Sequence, residues 1–90
     1  MADTMSDLDR RVNREVLKYA VQRAITCALT GKVLDKRTAV SVTVINASGK
    51  RGAMVCDGPA YDGIKDALIA EALKKNATLE ILDGRELHRR

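Results

Sequence analysis

The chain has 90 residues, 46% of them hydrophobic but only 2% aromatic, so it can form one domain whose core must be built without Phe or Trp, from Val, Leu, Ile, Ala and Met. Chains of this size bury only about 60–65% of their unfolded surface, and each missing ring forgoes roughly 150–250 Å² of burial, which makes self-association the nearest supplement to a thin core. The net charge of +4 is too small to demand a nucleic-acid partner; residues 1–37 hold eight basic and five acidic side chains against eight and seven in residues 38–90, so most of the excess is N-terminal.

Residues 1–7 are polar and carry Asp3 and Asp7, without the basic start and apolar run of a signal peptide, and no stretch is long and apolar enough to span a membrane. The expectation is a cytoplasmic protein with no membrane contact. Ser6, followed three residues later by Asp9, resembles a capping box with the acid one carbon short, and Asp7 and Asp9 suit the positive end of a helix dipole. The periodicity predicts one amphipathic helix over residues 6–30. Val16, Leu17, Ala20, Val21, Ala24, Ile25, Cys27 and Ala28 form its broad apolar arc; Arg11, Glu15, Lys18, Gln22 and Thr26 form the wet stripe, and Gly31 suits the position after the last turn. Such a helix would extend roughly 35–38 Å, whereas strands of five to seven residues span about 17–23 Å. Its first turns are therefore expected to overhang the sheet. There Arg10 and Arg14 continue the sector of Leu17 and Val21, while Leu8, Val12 and Val16 make a separate apolar strip.

Residues 32–37 read as a polar connection carrying Val33 and Leu34. Residues 38–46 have the β-branched density of a strand, with Val40, Val42 and Val44 on one face and Ala39, Ser41, Thr43 and Ile45 on the other. Asn46-Ala47-Ser48-Gly49 has the chemistry of a type I turn closed by a left-handed Gly, leading into a second strand over residues 50–56. Asp57-Gly58-Pro59 ends this hairpin and opens a second helix reaching about residue 76, with Pro59 at its first position. Tyr61, Ile64, Leu68 and Ala72 make one stripe on that helix, expected to face the sheet. Ile69 and Leu73 make another, expected to meet the first helix, with a second molecule as the alternative. Residues 78–82 read as a third strand, and Gly84 begins a charged tail. The whole predicts an α+β fold: one domain over residues 1–90, flexible at 1–5 and 84–90, with the order α-β-β-α-β. Its three-stranded sheet is expected in the order 2-1-3, ahead of 1-2-3, with both helices packed on one face.

Candidate chemical sites are few. Cys27 and Cys56 lack a CxxC or metal-ligand spacing and read as buried, reduced thiols. Ser48-Gly49-Lys50-Arg51-Gly52 offers amides and two cations, making Lys50 and Arg51 candidate phosphate contacts, although Val44 and Arg51 stand where a Walker motif needs Gly and Ser or Thr. Asp57, Tyr61, Asp62 and Asp66 gather at the start of the second helix, where acids are expected from the dipole alone. His88 is the single histidine and falls in the tail, where nothing in the sequence orients it. No nucleophile and base pair up convincingly, so no catalytic residue, metal or cofactor is expected. The reading that remains is a small non-enzymatic regulator or adaptor that self-associates, a dimer being favoured, and contacts protein partners. Leu8, Val12, Val16 and Tyr19, flanked by Arg10, Arg11 and Arg14, are the interface candidates. The alternative is nucleic-acid binding through those arginines, Lys18, the hairpin turn and the basic C-terminal tail, though without an aromatic platform for bases.

Overall fold

A computed structural model describes residues 6–89. Ser6 caps the first helix, α1 (Asp7–Ala24), its hydroxyl accepting a hydrogen bond from the Asp9 amide at 3.1 Å. β1 (Ala39–Ile45) and β2 (Arg51–Asp57) form the expected hairpin, with Val42 opposite Met54. Its turn is built by Asn46, whose side-chain oxygen accepts from the Ser48 amide, the Ser48 hydroxyl and the Lys50 amide, while Gly49 supplies the left-handed φ of 88°. Asp57 caps α2 (Gly58–Lys74) by accepting from the Ala60 amide at 2.9 Å. That helix closes through Asn76 at φ 54°, with the Ala77 amide bonded to the Ala72 carbonyl at 2.8 Å. β3 (Thr78–Asp83) pairs antiparallel with the other side of β1, so the sheet runs β2-β1-β3. The α+β class, the strand count and the order 2-1-3 are those expected.

The helices do not share one face of the sheet. Ala39, Val40, Ser41 and Val42 are buried in succession, which alternation along a strand permits only if both faces are covered. On one side, Ala20, Arg23 and Ala24 of α1 border an open cleft of about 540 Å³ with Ser41, Ala53 and Val55, which the pairing register places on one face. On the other, Leu68 and Ala72 of α2 border a recess with Val44 and Leu79, which belong to the opposite face. Tyr61, Ile64, Leu68 and Ala72 are accordingly half-buried. Ile69 and Leu73 are left 48% and 76% exposed, because α1 lies across the sheet from them. The expected contact of this second stripe with the first helix is therefore not made.

α1 also ends earlier than its periodicity suggests. Ile25 turns to φ 66°, and residues 26–33 form a tight hairpin in which the Cys27 amide bonds the Lys32 carbonyl and Gly31, at φ 76°, makes the bend. This hairpin lies along the outer edge of β2, where the Ala28 amide reaches the Val55 carbonyl at 3.0 Å. Covering an otherwise open strand edge outweighs the helical period, and Cys27 is buried in this hairpin rather than in a helix. An 18-residue helix is about 27 Å long, so the overhang is shorter than expected.

The C-terminal segment carries the second correction. From Gly84 the chain does not trail off as a charged tail but forms α3 (Gly84–Leu87), capped by Asp83 and packed against α1, with Leu87 only 3% exposed. Gly84 is required by close approach: a Cβ there would collide with the backbone carbonyl oxygens of Lys36 and Ala39. Arg85 then ties three elements together. Its guanidinium donates to Asp83 at the end of β3, forks onto both carboxylate oxygens of Asp62 in α2 at 2.7 and 2.9 Å, and rests over Gly58, where a Cβ would clash with it. The two aspartates hold this guanidinium charged well above the usual arginine range. Among the described residues no helix is long and apolar enough to cross a membrane.

Candidate functional site

α1 presents three differently used faces. Leu17 and Val21 lie on the inner one, Leu17 completely buried and Val21 packed on the core. Arg10 and Arg14 leave that sector for α3: Arg10 donates to the Glu86 carbonyl at 2.9 Å and Arg14 to the Leu87 carbonyl at 3.4 Å, capping carbonyls at the end of that short helix. Two of the three arginines expected at a partner interface are thus engaged within the chain, and the overhanging turns are covered on this side.

The outer face is apolar. Leu8, Val12, Val16 and Tyr19 follow one another at spacings of four, four and three residues, which aligns them along one side of a helix. They are 68%, 51%, 49% and 66% exposed. Other exposed apolar side chains occur, Ile25 at the end of α1, Leu29 and Val33 on the 26–33 hairpin, and Ile69 and Leu73 on α2, but no such group runs so far along one element. A continuous exposed apolar stripe of this kind marks an interaction surface more often than isolated apolar residues do.

The third face is basic and concave. Arg11, Arg14, Glu15 and Lys18 of α1 line a cleft of about 300 Å³ whose other walls are Lys36 and His88. Lys36 arrives on a turn held by Asp35, whose carbonyl accepts from the Thr38 and Ala39 amides and whose side chain accepts from the Arg37 amide. His88 follows α3, its Nδ1 2.9 Å from the Gly84 carbonyl. The histidine is therefore oriented, contrary to its reading as part of a loose tail. The spacing of Arg11, Arg14 and Lys18 is visible in sequence; their convergence with Lys36 and His88 depends on α3 docking and has no local signal.

The hairpin turn offers less than its composition promises. The amides of Ser48 and Lys50 are taken by the Asn46 side chain and that of Gly49 by the Asn46 carbonyl, so these three are not free to cradle a phosphate. Arg51 pairs with Glu80 across the sheet at 3.5 Å, and Lys50 is exposed. The acidic group around α2 is likewise occupied in structure. Asp57 caps the helix and accepts from the Thr30 hydroxyl, its carboxyl held below the usual range chiefly by the Ala60 amide. Asp62 is held below that range by Arg85. Asp66 stays exposed, and among the described residues no cluster of His, Cys, Asp or Glu has the makings of a metal site.

Both cysteines are buried free thiols, as expected. Cys27 Sγ accepts from the amides of Asp57 at 3.3 Å and Leu29 at 3.4 Å. Burial alone would raise its pKa, but the Thr30 hydroxyl and these two amides outweigh it and lower the value. Burial pushes the Cys56 thiol up to about 11. Neither is placed beside a histidine, so no activated nucleophile of the Cys–His kind is formed.

Neither a protein-family model, nor a curated protein, nor a solved structure matches this chain.

Proposed function

We propose that the protein is a small cytoplasmic, non-enzymatic adaptor or regulator that works as a homodimer, joined through the outer face of α1. The observation that carries this reading is the line of exposed apolar side chains Leu8, Val12, Val16 and Tyr19 on the side of α1 turned from the core. Its occupant is a second copy of the same chain. Reversed, the stripe nearly superposes on itself, so two antiparallel copies set Val12 against Val16 and Leu8 against Tyr19, as a two-fold interface requires. The same arrangement turns the acidic first turn of each helix, with Asp7 and Asp9, toward the C-terminal half of the partner helix, whose last turn carries Arg23. Opposed helix dipoles add to this preference for the antiparallel pair. The aromatic-poor core supplies the physical motive, since a thin core gains most from added apolar burial. Size exclusion with light scattering at high micromolar concentration should give twice the 9.8 kDa chain mass. A chain mass that stays at 9.8 kDa there would refute the dimer.

A further inference from the structure

We infer that the basic cleft between α1 and α3 binds a diphosphate group, either free or as part of a small phosphorylated molecule. The inference stands independently of dimer formation. Four cations converge there, Arg11, Arg14 and Lys18 from one helix and Lys36 from a turn 18 residues further on than Lys18, with His88 alongside and Glu15 as the one carboxylate. Among the described residues, Arg11, Lys18 and Lys36 make no side-chain hydrogen bond or ion pair; the same holds of Arg23, Lys32, Arg37, Lys50, Lys65 and Lys74, but Arg11, Lys18 and Lys36 share one cleft. Gathering like charges in a concavity is unfavourable in itself and becomes favourable when a multivalent anion enters. The gathering is also built. Lys36 is held where it is because Gly84, lacking a side chain, lets the Lys36 carbonyl approach α3, and α3 in turn orients His88.

The chemistry of the walls selects the ligand. Apart from the His88 imidazole no aromatic residue, and no aliphatic one, lines the cleft, so it offers no pocket for an apolar body and the anionic group is the main feature read. Its volume of about 300 Å³ suits a compact ligand, and its concave shape differs from the extended basic stripe that tracks a nucleic-acid backbone. Two adjacent phosphates match a site in which two arginines and two lysines approach from two elements.

The test is a titration of the isotope-labelled full chain with inorganic pyrophosphate at low salt, followed by amide and His88 ring resonances. Saturable binding of one pyrophosphate per chain is expected, with shifts concentrated at residues 11–18, 36 and 84–88. Lys36→Gln and Lys18→Gln, both on the surface, should each weaken it about fivefold to tenfold, Lys36→Arg should restore most of it, and Lys50→Gln should leave it unchanged. Glu15→Gln should tighten it. Adenosine diphosphate binding within a few-fold of pyrophosphate would support recognition of the phosphates alone, and much tighter binding would support a nucleotide as the natural source. Shifts that fail to saturate, or that spread equally to Lys50, Lys74 and Lys75, would overturn the site as a general ion atmosphere. So would a single-stranded oligonucleotide that binds more tightly than pyrophosphate and is indifferent to Lys36→Gln.

Discussion

Replacing Val12 by Asp perturbs the proposed dimer at the centre of its helix pair and leaves the monomer nearly untouched. Val12 is 51% exposed in the isolated chain, so about half of the ~1.5–3 kcal/mol gained by fully burying a valine is still to be realised on association. That is about 1 kcal/mol per copy and about 2 kcal/mol for a symmetric pair. A carboxylate facing Val16 of the other copy adds an uncompensated desolvation of about 1–3 kcal/mol at each site. The total, about 4 kcal/mol or more, corresponds to a dissociation constant raised about 1000-fold. Val12→Ala, which only trims methyl groups, should raise it about tenfold. Sedimentation equilibrium of the three chains reads these constants directly, and circular dichroism should show nearly the same helix content in all, since residue 12 is half-exposed and the exchange costs only a few tenths of a kcal/mol in helix propensity. A Val12→Asp chain that dimerises as tightly as the original would refute the reasoning and move the contact elsewhere, for example to Ile25, Leu29 and Val33.

Gly84→Ala should destabilise the fold by about 2–3 kcal/mol, lowering the melting temperature by about 10–20 °C, because the new methyl meets backbone that has no room to move; Gly63→Ala, with open space around it inside α2, should instead stabilise by about 0.5–1 kcal/mol. Arg85→Lys keeps the charge but loses the fork that reaches Asp62 and Asp83 together. With a third of that side chain still in solvent, thermal denaturation should show a loss of about 1–2 kcal/mol, diminishing little in high salt because of its part-buried aspartate. Because the Cys56 pKa is raised from 9.0 to about 11 in the fold, its contribution to stability is intact below pH 9 and is lost as the pH climbs toward 11, when the unfolded chain ionises and the folded one does not. Denaturant titrations should show a fall of about 2–3 kcal/mol over that window, with Tyr61 adding in the same direction above pH 10.0; Cys27, shifted oppositely, adds stability mainly as the pH rises toward 9.0, before this window, and Cys56→Ala should flatten the curve.

What could be read from the sequence was what local chemistry decides. Ser6 and Asp57 at helix starts, Asn46 and Gly49 at the hairpin turn, and the alternation from Val40 to Ile45 each act within a few residues of where they stand, and the structure uses them so. The failures involve contacts between distant segments. Residues 25–30 continue a helical apolar period, yet they leave α1 because the free edge of β2 needs a neighbour and Cys27 finds backbone donors there. Residues 84–88 look like a charged tail because Leu87 is a lone apolar residue among Arg85, Glu86 and His88, and only the carbonyls offered to Arg10 and Arg14 reveal why they dock. The placement of the helices on opposite faces of β1 follows from the run of buried residues 39–42. That run mixes Ala and Ser with Val, so its two-sided burial is faint in composition. The candidate sites divide in the same way. The apolar line on α1 is a helical period and therefore legible, whereas the joining of Lys36 and His88 to Arg11, Arg14 and Lys18 is a product of folding.

The claim that two copies meet along the outer face of α1 is tested most directly by covalent trapping. Chains carrying Val12→Cys and Val16→Cys, mixed at equal concentration under mild oxidation, should form the mixed disulfide in preference to either symmetric one, since antiparallel pairing sets residue 12 against residue 16. Cys27 and Cys56 are buried and should not compete, and Lys65→Cys on the exposed side of α2 supplies the background rate. Mass spectrometry showing the mixed species well above that background is the predicted result; mixed disulfides no more abundant than those of Lys65→Cys would contradict the account.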